Sequence, residues 1–185
     1  QRLRRELTDS GWKKHEFIVE KLIDGVSTIS QTHEIDHVRR HENSTIGLEI
    51  EWNNKDPFYD RDLENFSRLH ADSAIAVGVI ITRGKSLHQS LEKLVEEYAL
   101  RHNLADFPDL QLKGISLTNR QKKIVQEKII RGATFVSAWA KMFVSDKYGE
   151  ATTHWSKLES RVKRGVGAPC PWVGIGIPLS VVIED

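Results

Sequence analysis

Glu49 and Glu51 stand two residues apart in the run Gly47-Leu48-Glu49-Ile50-Glu51-Trp52. Side chains alternate across a β-strand, so both carboxylates project to one face while Leu48, Ile50 and Trp52 project to the other. The apolar set is expected on the core, which leaves the two acids side by side at an edge or cleft. Like charges this close repel unless a cation sits between them, and a hard divalent ion is the usual partner. Asp36 falls on what reads as the preceding strand, across a short turn, and antiparallel neighbours run about 4.8 Å apart. Asp36, Glu49 and Glu51 are therefore candidates for one site. Three oxygen ligands plus water suit Mg²⁺, which keeps several waters and bridges to phosphate. Such a centre can polarise a phosphodiester and generate hydroxide near neutral pH. The plain alternative is a half-exposed strand that carries its acids on the wet face.

The same stretch holds a second pattern. His33-Glu34-Ile35-Asp36-His37 matches the H-E-x-x-H signature of zinc metallopeptidases, which works on a helix, where residues i and i+4 share a face. His41 would extend it by one more turn. The lead-in Ser27-Thr28-Ile29-Ser30 has little helical character. On a strand, positions 33 and 37 lie about 13 Å apart, too far for one zinc.

The elements that must position these residues can be read from periodicity and punctuation. A first helix is expected from about Ser10 to Asp24, with Trp12, Phe17, Ile18, Leu22 and Ile23 as its apolar stripe and Gly25 as its stop. Strands follow over Thr28–Arg40 and Ile46–Trp52, joined by a turn at Asn43-Ser44. Pro57 suits the start of a helix running to about His70. Ala74–Thr82 (AIAVGVIIT) is short, β-branched and almost wholly apolar, the signature of a strand covered on both faces. Ser86 with Gln89, and Thr118 with Gln121, have capping-box spacing for two helices. Ala133–Tyr148, ended by Gly149, and Thr152–Arg164 read as two more, and Val173–Ile177 as a closing strand. The order implies an α/β fold, a mixed central β-sheet flanked by helices.

Composition sets the frame. The 185 residues make one domain with a full-sized core, at 29% charged and 39% hydrophobic residues. One cysteine, Cys170, rules out an internal disulfide framework and fits a reducing, cytoplasmic setting. No apolar run approaches a membrane span, and no secretory signal pattern is present. The chain begins at Gln1, consistent with a trimmed N-terminus. Net charge is only +1, but residues 118–165 carry Arg120, Lys122, Lys123, Lys128, Arg131, Lys141, Lys147, Lys157, Arg161, Lys163 and Arg164 against Glu127, Asp146, Glu150 and Glu159. A basic half beside an acidic centre suits a polyanion that must approach bound metal, although such runs are commonly solvated helix faces. Trp139 and Trp155 are expected to pack in the core rather than to stack on bases.

An aspartate followed just over a dozen residues later by Glu-x-Glu on the next strand resembles the PD-(D/E)xK nuclease superfamily. The runs THEIDHV, GLEIEWNNKDPFYDRDLENFSRLH and AIAVGVIITRG, within Thr32–Gly84, look like the type II restriction endonucleases of the BamHI, BglII and BstYI group. The segment TTHWSKLESRVKRGVGAPCPWVGIGIP is similar in the same way. Glu51 takes the place of the usual lysine, a departure characteristic of that group. The resemblance implies a restriction-endonuclease-like core, with residues 1–185 as one catalytic and DNA-binding domain. It implies Asp36, Glu49 and the carbonyl of Ile50 as Mg²⁺ ligands, Glu51 as the group that holds or deprotonates the attacking water, and Glu20, on the first helix, as a further catalytic residue. With no lysine at 51, Lys55 is a candidate for charge neutralisation. It further implies a homodimer acting on double-stranded DNA at a short palindrome, GATC-centred, leaving 5′-phosphates, and a cognate DNA methyltransferase. Base readout is expected within Arg120–Lys123 and Arg161–Arg164. Two alternatives are a non-catalytic DNA-binding module with structural acids, and the zinc metallopeptidase of HEIDH.

Overall fold

A computed structural model describes residues 2–55 and 57–182. The chain divides into two compact units, Gln1–Gly84 with Thr153–Ile177, and Lys85–Thr152 with Pro178–Asp185.

The first unit holds the sheet. In chain order it has α1 (Arg2–Asp9), β1 (Lys13–Ile23), β2 (Val26–His41), β3 (Ser44–Glu51), α2 (Phe58–Ala71) and β4 (Val77–Arg83). After residue 152 come α7 (Trp155–Lys163) and β5 (Trp172–Ile177), with α3 to α6 lying in the second unit. Strand order is β1-β2-β3-β4-β5. The β1–β2 and β2–β3 pairs are antiparallel, while β3–β4 and β4–β5 are parallel. The sheet is therefore mixed, as expected, with α2 serving as the crossover between parallel β3 and β4.

The expected first helix over residues 10–24 is replaced by β1, with the first helix, α1, lying before it. The deciding signal is Asp24-Gly25: both residues have positive φ, 50° and 81°, and they form a two-residue hairpin turn between β1 and β2. Asp-Gly is the strongest short-range hairpin signal, because both central positions of such a turn need positive φ. Gly25 thus closes a hairpin rather than a helix. His15, Phe17 and Val19 then alternate inward, while Ile18, Leu22 and Ile23 are exposed.

The core of this unit gathers Phe17, Ile35, Val38, Tyr59, Leu63, Phe66, Leu69, Ile75, Ile80, Leu158 and Cys170. Helix α2 contributes an inward stripe of Tyr59, Leu63, Phe66 and Leu69, the spacing of one helical face. Gly78 permits the closest approach, since any Cβ there would run into the Phe66 ring. A buried Arg83, at the end of β4, donates to the carbonyls of Trp52 (2.8 Å) and Thr153 (2.6 Å). It thereby fixes the chain just beyond Glu51.

The second unit is helical: α3 (Lys85–Arg101), α4 (Phe107–Leu112), α5 (Asn119–Ile130), α6 (Phe135–Tyr148) and a 3-10 turn at Leu179–Val181. Its core is apolar, built from Ala99, Leu104, Leu110, Val125, Ala138, Trp139 and Met142. The Thr118–Gln121 capping box forms with both reciprocal bonds. Ser86 does not cap α3; its hydroxyl accepts from the Leu179 amide instead, at 3.1 Å. Helix α4, capped by Asp106, was not legible as an element. Among the described residues, no helix is long and apolar enough to cross a membrane.

Candidate active site

β3 delivers Glu49 and Glu51, but to a different environment from the one its pattern suggests. Gly47 shares their face by alternation, and a Cβ at Gly47 would meet Phe66 of α2 at 3.3 Å and Ile35 at 3.6 Å. The acids therefore extend the core side of the strand, beneath α2. They are 7% and 3% exposed, so the expected wet face is instead a buried one. Leu48 is buried on the opposite face, so β3 is covered on both sides.

Asp36 reaches the same place through an irregularity in β2. Between β1 and β2, pairing passes from Lys13↔Val38 to His15↔Ile35, two steps on one strand against three on the other. The extra residue makes a β-bulge at Asp36-His37, a device that re-aims a side chain and ends regular pairing. The β2–β3 ladder accordingly runs from His41↔Ser44 only to His37↔Leu48. The freed amide of Asp36 donates to Glu49 Oε1 at 3.3 Å.

A cleft of about 380 Å³ opens over this group, lined by Asp36, Glu49, Ile50 and Glu51 together with Arg4, Asn54, Phe58 and Arg61. Arg4 Nη2 donates to Asp36 Oδ2 at 3.2 Å. Asn54 Nδ2 donates to both oxygens of Glu51, at 3.1 and 2.9 Å, and so fixes that carboxylate. Burial, reinforced by the neighbouring carboxylates of Asp62 and Asp36, pushes the Glu49 carboxyl up to about 8. Burial and Asp62 push Glu51 up to about 8 as well.

Asp62 is a fourth carboxylate that the sequence reading overlooked. It is 1% exposed, and burial raises its carboxyl above the usual range. Oδ1 accepts from Arg61 at 3.0 and 2.9 Å, and the carboxyl also shares a side-chain hydrogen bond with Glu51. A signal was present: Asp62 falls within the Tyr59-Leu63-Phe66 stripe of α2, and an acid on an apolar helical face is seldom buried without a purpose. Asp36, Glu49 and Glu51, brought together on one cleft with the backbone of Ile50, are an all-oxygen donor set that suits a hard divalent cation.

The other candidates lie elsewhere. Glu20 is exposed on β1, paired with Ser30. Six residues of ribbon, roughly 20 Å at strand rise, separate Ser30 from Asp36, so Glu20 does not join the group. Its expected helical setting is absent. Lys55 is exposed and does not line the cleft. The zinc-peptidase geometry fails because residues 33–41 form a strand. His33 Nδ1 lies 3.1 Å from Asn65 Oδ1 on α2, whereas His37 pairs with Leu48, beyond the bulge.

Among the basic candidates, Arg161 is held by Asp60 at 3.2 Å and Lys163 by Glu159 at 3.3 Å. Trp139 is buried in the helical core. The Trp155 ring lies against β5, where a Cβ at Gly176 would come within 2.8 Å of it.

A family model described as restriction endonuclease BglII/BglIII matches residues 1–177. No curated protein and no solved structure matches the chain.

Proposed function

This chain belongs to the restriction endonuclease BglII/BglIII family, and from that premise we propose that it hydrolyses duplex DNA at a short palindromic site with a divalent metal held by Asp36, Glu49 and the carbonyl of Ile50. The observation that carries the reading is the convergence of Asp36, Glu49, Ile50 and Glu51 on one cleft, with buried acids that ionise readily only where a cation offsets their charge. Restriction endonuclease and hydrolase follow from the family. The choice of Mg²⁺, the GATC-centred site, the 5′-phosphate ends, the homodimer and the cognate methyltransferase are part of the proposal, as is the assignment of both units to one catalytic and DNA-binding domain over residues 1–185.

When bound, a divalent cation supplies Lewis-acid polarisation of the phosphodiester and an acidified water. The protein's own contribution is positioning. The bulge aims Asp36 at Glu49, and the amide of Asp36 holds the Glu49 carboxylate. Asn54 fixes both oxygens of Glu51, so that carboxylate is oriented to accept a proton from the attacking water. Burial raises the Glu51 carboxyl above the usual range, which strengthens it as a base once ionised. A two-fold dimer would match a two-fold site.

Incubation of unmethylated phage or plasmid DNA with the protein, in Mg²⁺ and in EDTA, tests the reading. Discrete fragments in Mg²⁺ alone are expected, and sequencing their ends gives the site. A smear points to a nonspecific nuclease. Binding without cutting under any divalent metal would favour a DNA-binding module with structural acids.

A further inference from the structure

The cleft is lined by four carboxylates, Glu34, Asp36, Glu49 and Glu51, and by two cationic side chains, Arg4 and Arg61. The two cations are held differently. Arg4, on α1, pairs directly with Asp36, one of the groups assigned to the metal, so that contact competes with cation binding. Arg61, in the first turns of α2, pairs with Asp62, which is not among the assigned ligands. Both Nε and Nη2 reach the same oxygen, Oδ1, at 3.0 and 2.9 Å. The guanidinium also sits over the Phe58 ring, 4.5 Å from its centroid. An arginine gripped along one edge and backed by an aromatic face has lost most of its rotamer freedom, yet Arg61 stays 56% exposed. The side chain lines the cleft, and Asp62 takes up only one edge of its donor fork.

Resting on the nuclease reading above, we propose that Arg61 contacts the phosphate at the scissile position, supplying from α2 the positive charge that position 51 does not carry. Glu51 occupies the strand position at which a lysine is usual, and Lys55 stands outside the cleft. A guanidinium matches phosphate geometry through paired N–H donors, and charge placed where a transition state becomes more negative is among the largest catalytic effects available. The buried Asp62 then has a role. Its 1% exposure would be costly for a solitary acid, but it anchors a cation that lines the cleft.

The test uses the full chain with Arg61→Ala and Arg61→Lys. Two readouts are taken: cleavage at saturating Mg²⁺, and the salt dependence of duplex binding in Ca²⁺, where cutting is not needed. The expected result for Arg61→Ala is a kcat lower by on the order of a hundredfold and a log–log salt slope reduced by about one unit. Arg61→Lys should recover the slope, since the charge returns, but only part of kcat, since the fork does not. Cleavage by Arg61→Ala within twofold of wild type, with an unchanged slope, would overturn the assignment while leaving the nuclease reading intact. If the wild type binds but does not cut, and Arg61→Ala still loses one unit of slope, the phosphate contact stands and the nuclease reading fails.

Discussion

The two units of this molecule bury very different things. The helical unit hides an apolar core of Ala99, Leu104, Leu110, Val125, Ala138, Trp139 and Met142. The sheet unit hides Glu49, Glu51, Asp62 and Arg83 beside its apolar cluster, and these are the buried charged residues among those described. Buried charge opposes folding unless paired or matched by a ligand. Arg83 is matched by backbone carbonyls. The acids are matched only in part, by Asn54, Arg61 and the amide of Asp36. One unit therefore buries what favours folding, while the other buries ionisable groups that oppose it.

The contrast is broken most sharply at Glu49. Glu49→Gln is expected to lower cleavage by on the order of a hundredfold or more, because a preorganised charge is removed from the reacting centre. Its melting temperature in EDTA above pH 8, where the wild-type carboxyl must ionise, should stay level or rise, because a buried like charge is removed. A marked fall in melting temperature would show that Glu49 is structural.

Trp139→Ala probes the other side. Truncating this core side chain is expected to cost about 3–5 kcal/mol of stability, read by denaturant unfolding, with metal affinity unchanged at temperatures where the variant is folded.

The pH dependence distinguishes the units without mutation. Glu49 and Glu51 rise from an ordinary 4.5 to about 8 in the folded chain. Between those values the folded state holds more protons than the unfolded one, so metal-free stability should fall as pH rises from about 4.5 to about 8. Divalent metal should blunt that fall by replacing the protons. Thermal melts across this range, with and without metal, check the sign; a metal-free stability that rises with pH would contradict it.

The smallest effect is expected at a helix end. Thr118→Ala removes the capping box of α5 and should cost about 1 kcal/mol, without altering metal binding or cleavage.

How much of this was legible in the sequence follows from which signals are local. The acids on β3, the apolar β4, the Thr118–Gln121 box and the Pro57 helix start are local patterns, and each appears where its residues place it. The hairpin of β1 is masked in the sequence because Phe17, Ile18, Leu22 and Ile23 imitate helical spacing, although Asp24-Gly25 is a turn signal stronger than that pattern. The burial of Glu49 and Glu51 was not legible from alternation, because both faces of β3 are covered and only the position of α2 decides which side is acidic. Asp36 reaches the site through a bulge, which depends on register between strands rather than on any short motif. Asp62 was readable in principle as an acid inside an apolar helical stripe. Its pairing with Arg61 was not.

The central claim is that the buried carboxylates of the sheet unit form a divalent-metal site. Calorimetric titration of Mg²⁺ into the wild type and Glu49→Gln near pH 7, in two buffers of different ionisation enthalpy, tests it most directly. The account predicts binding coupled to proton release in the wild type, because groups raised to about 8 must give up protons to the metal, and loss of most of that binding in a folded Glu49→Gln. Equal Mg²⁺ affinity in the two proteins, or binding with no proton released, would contradict it.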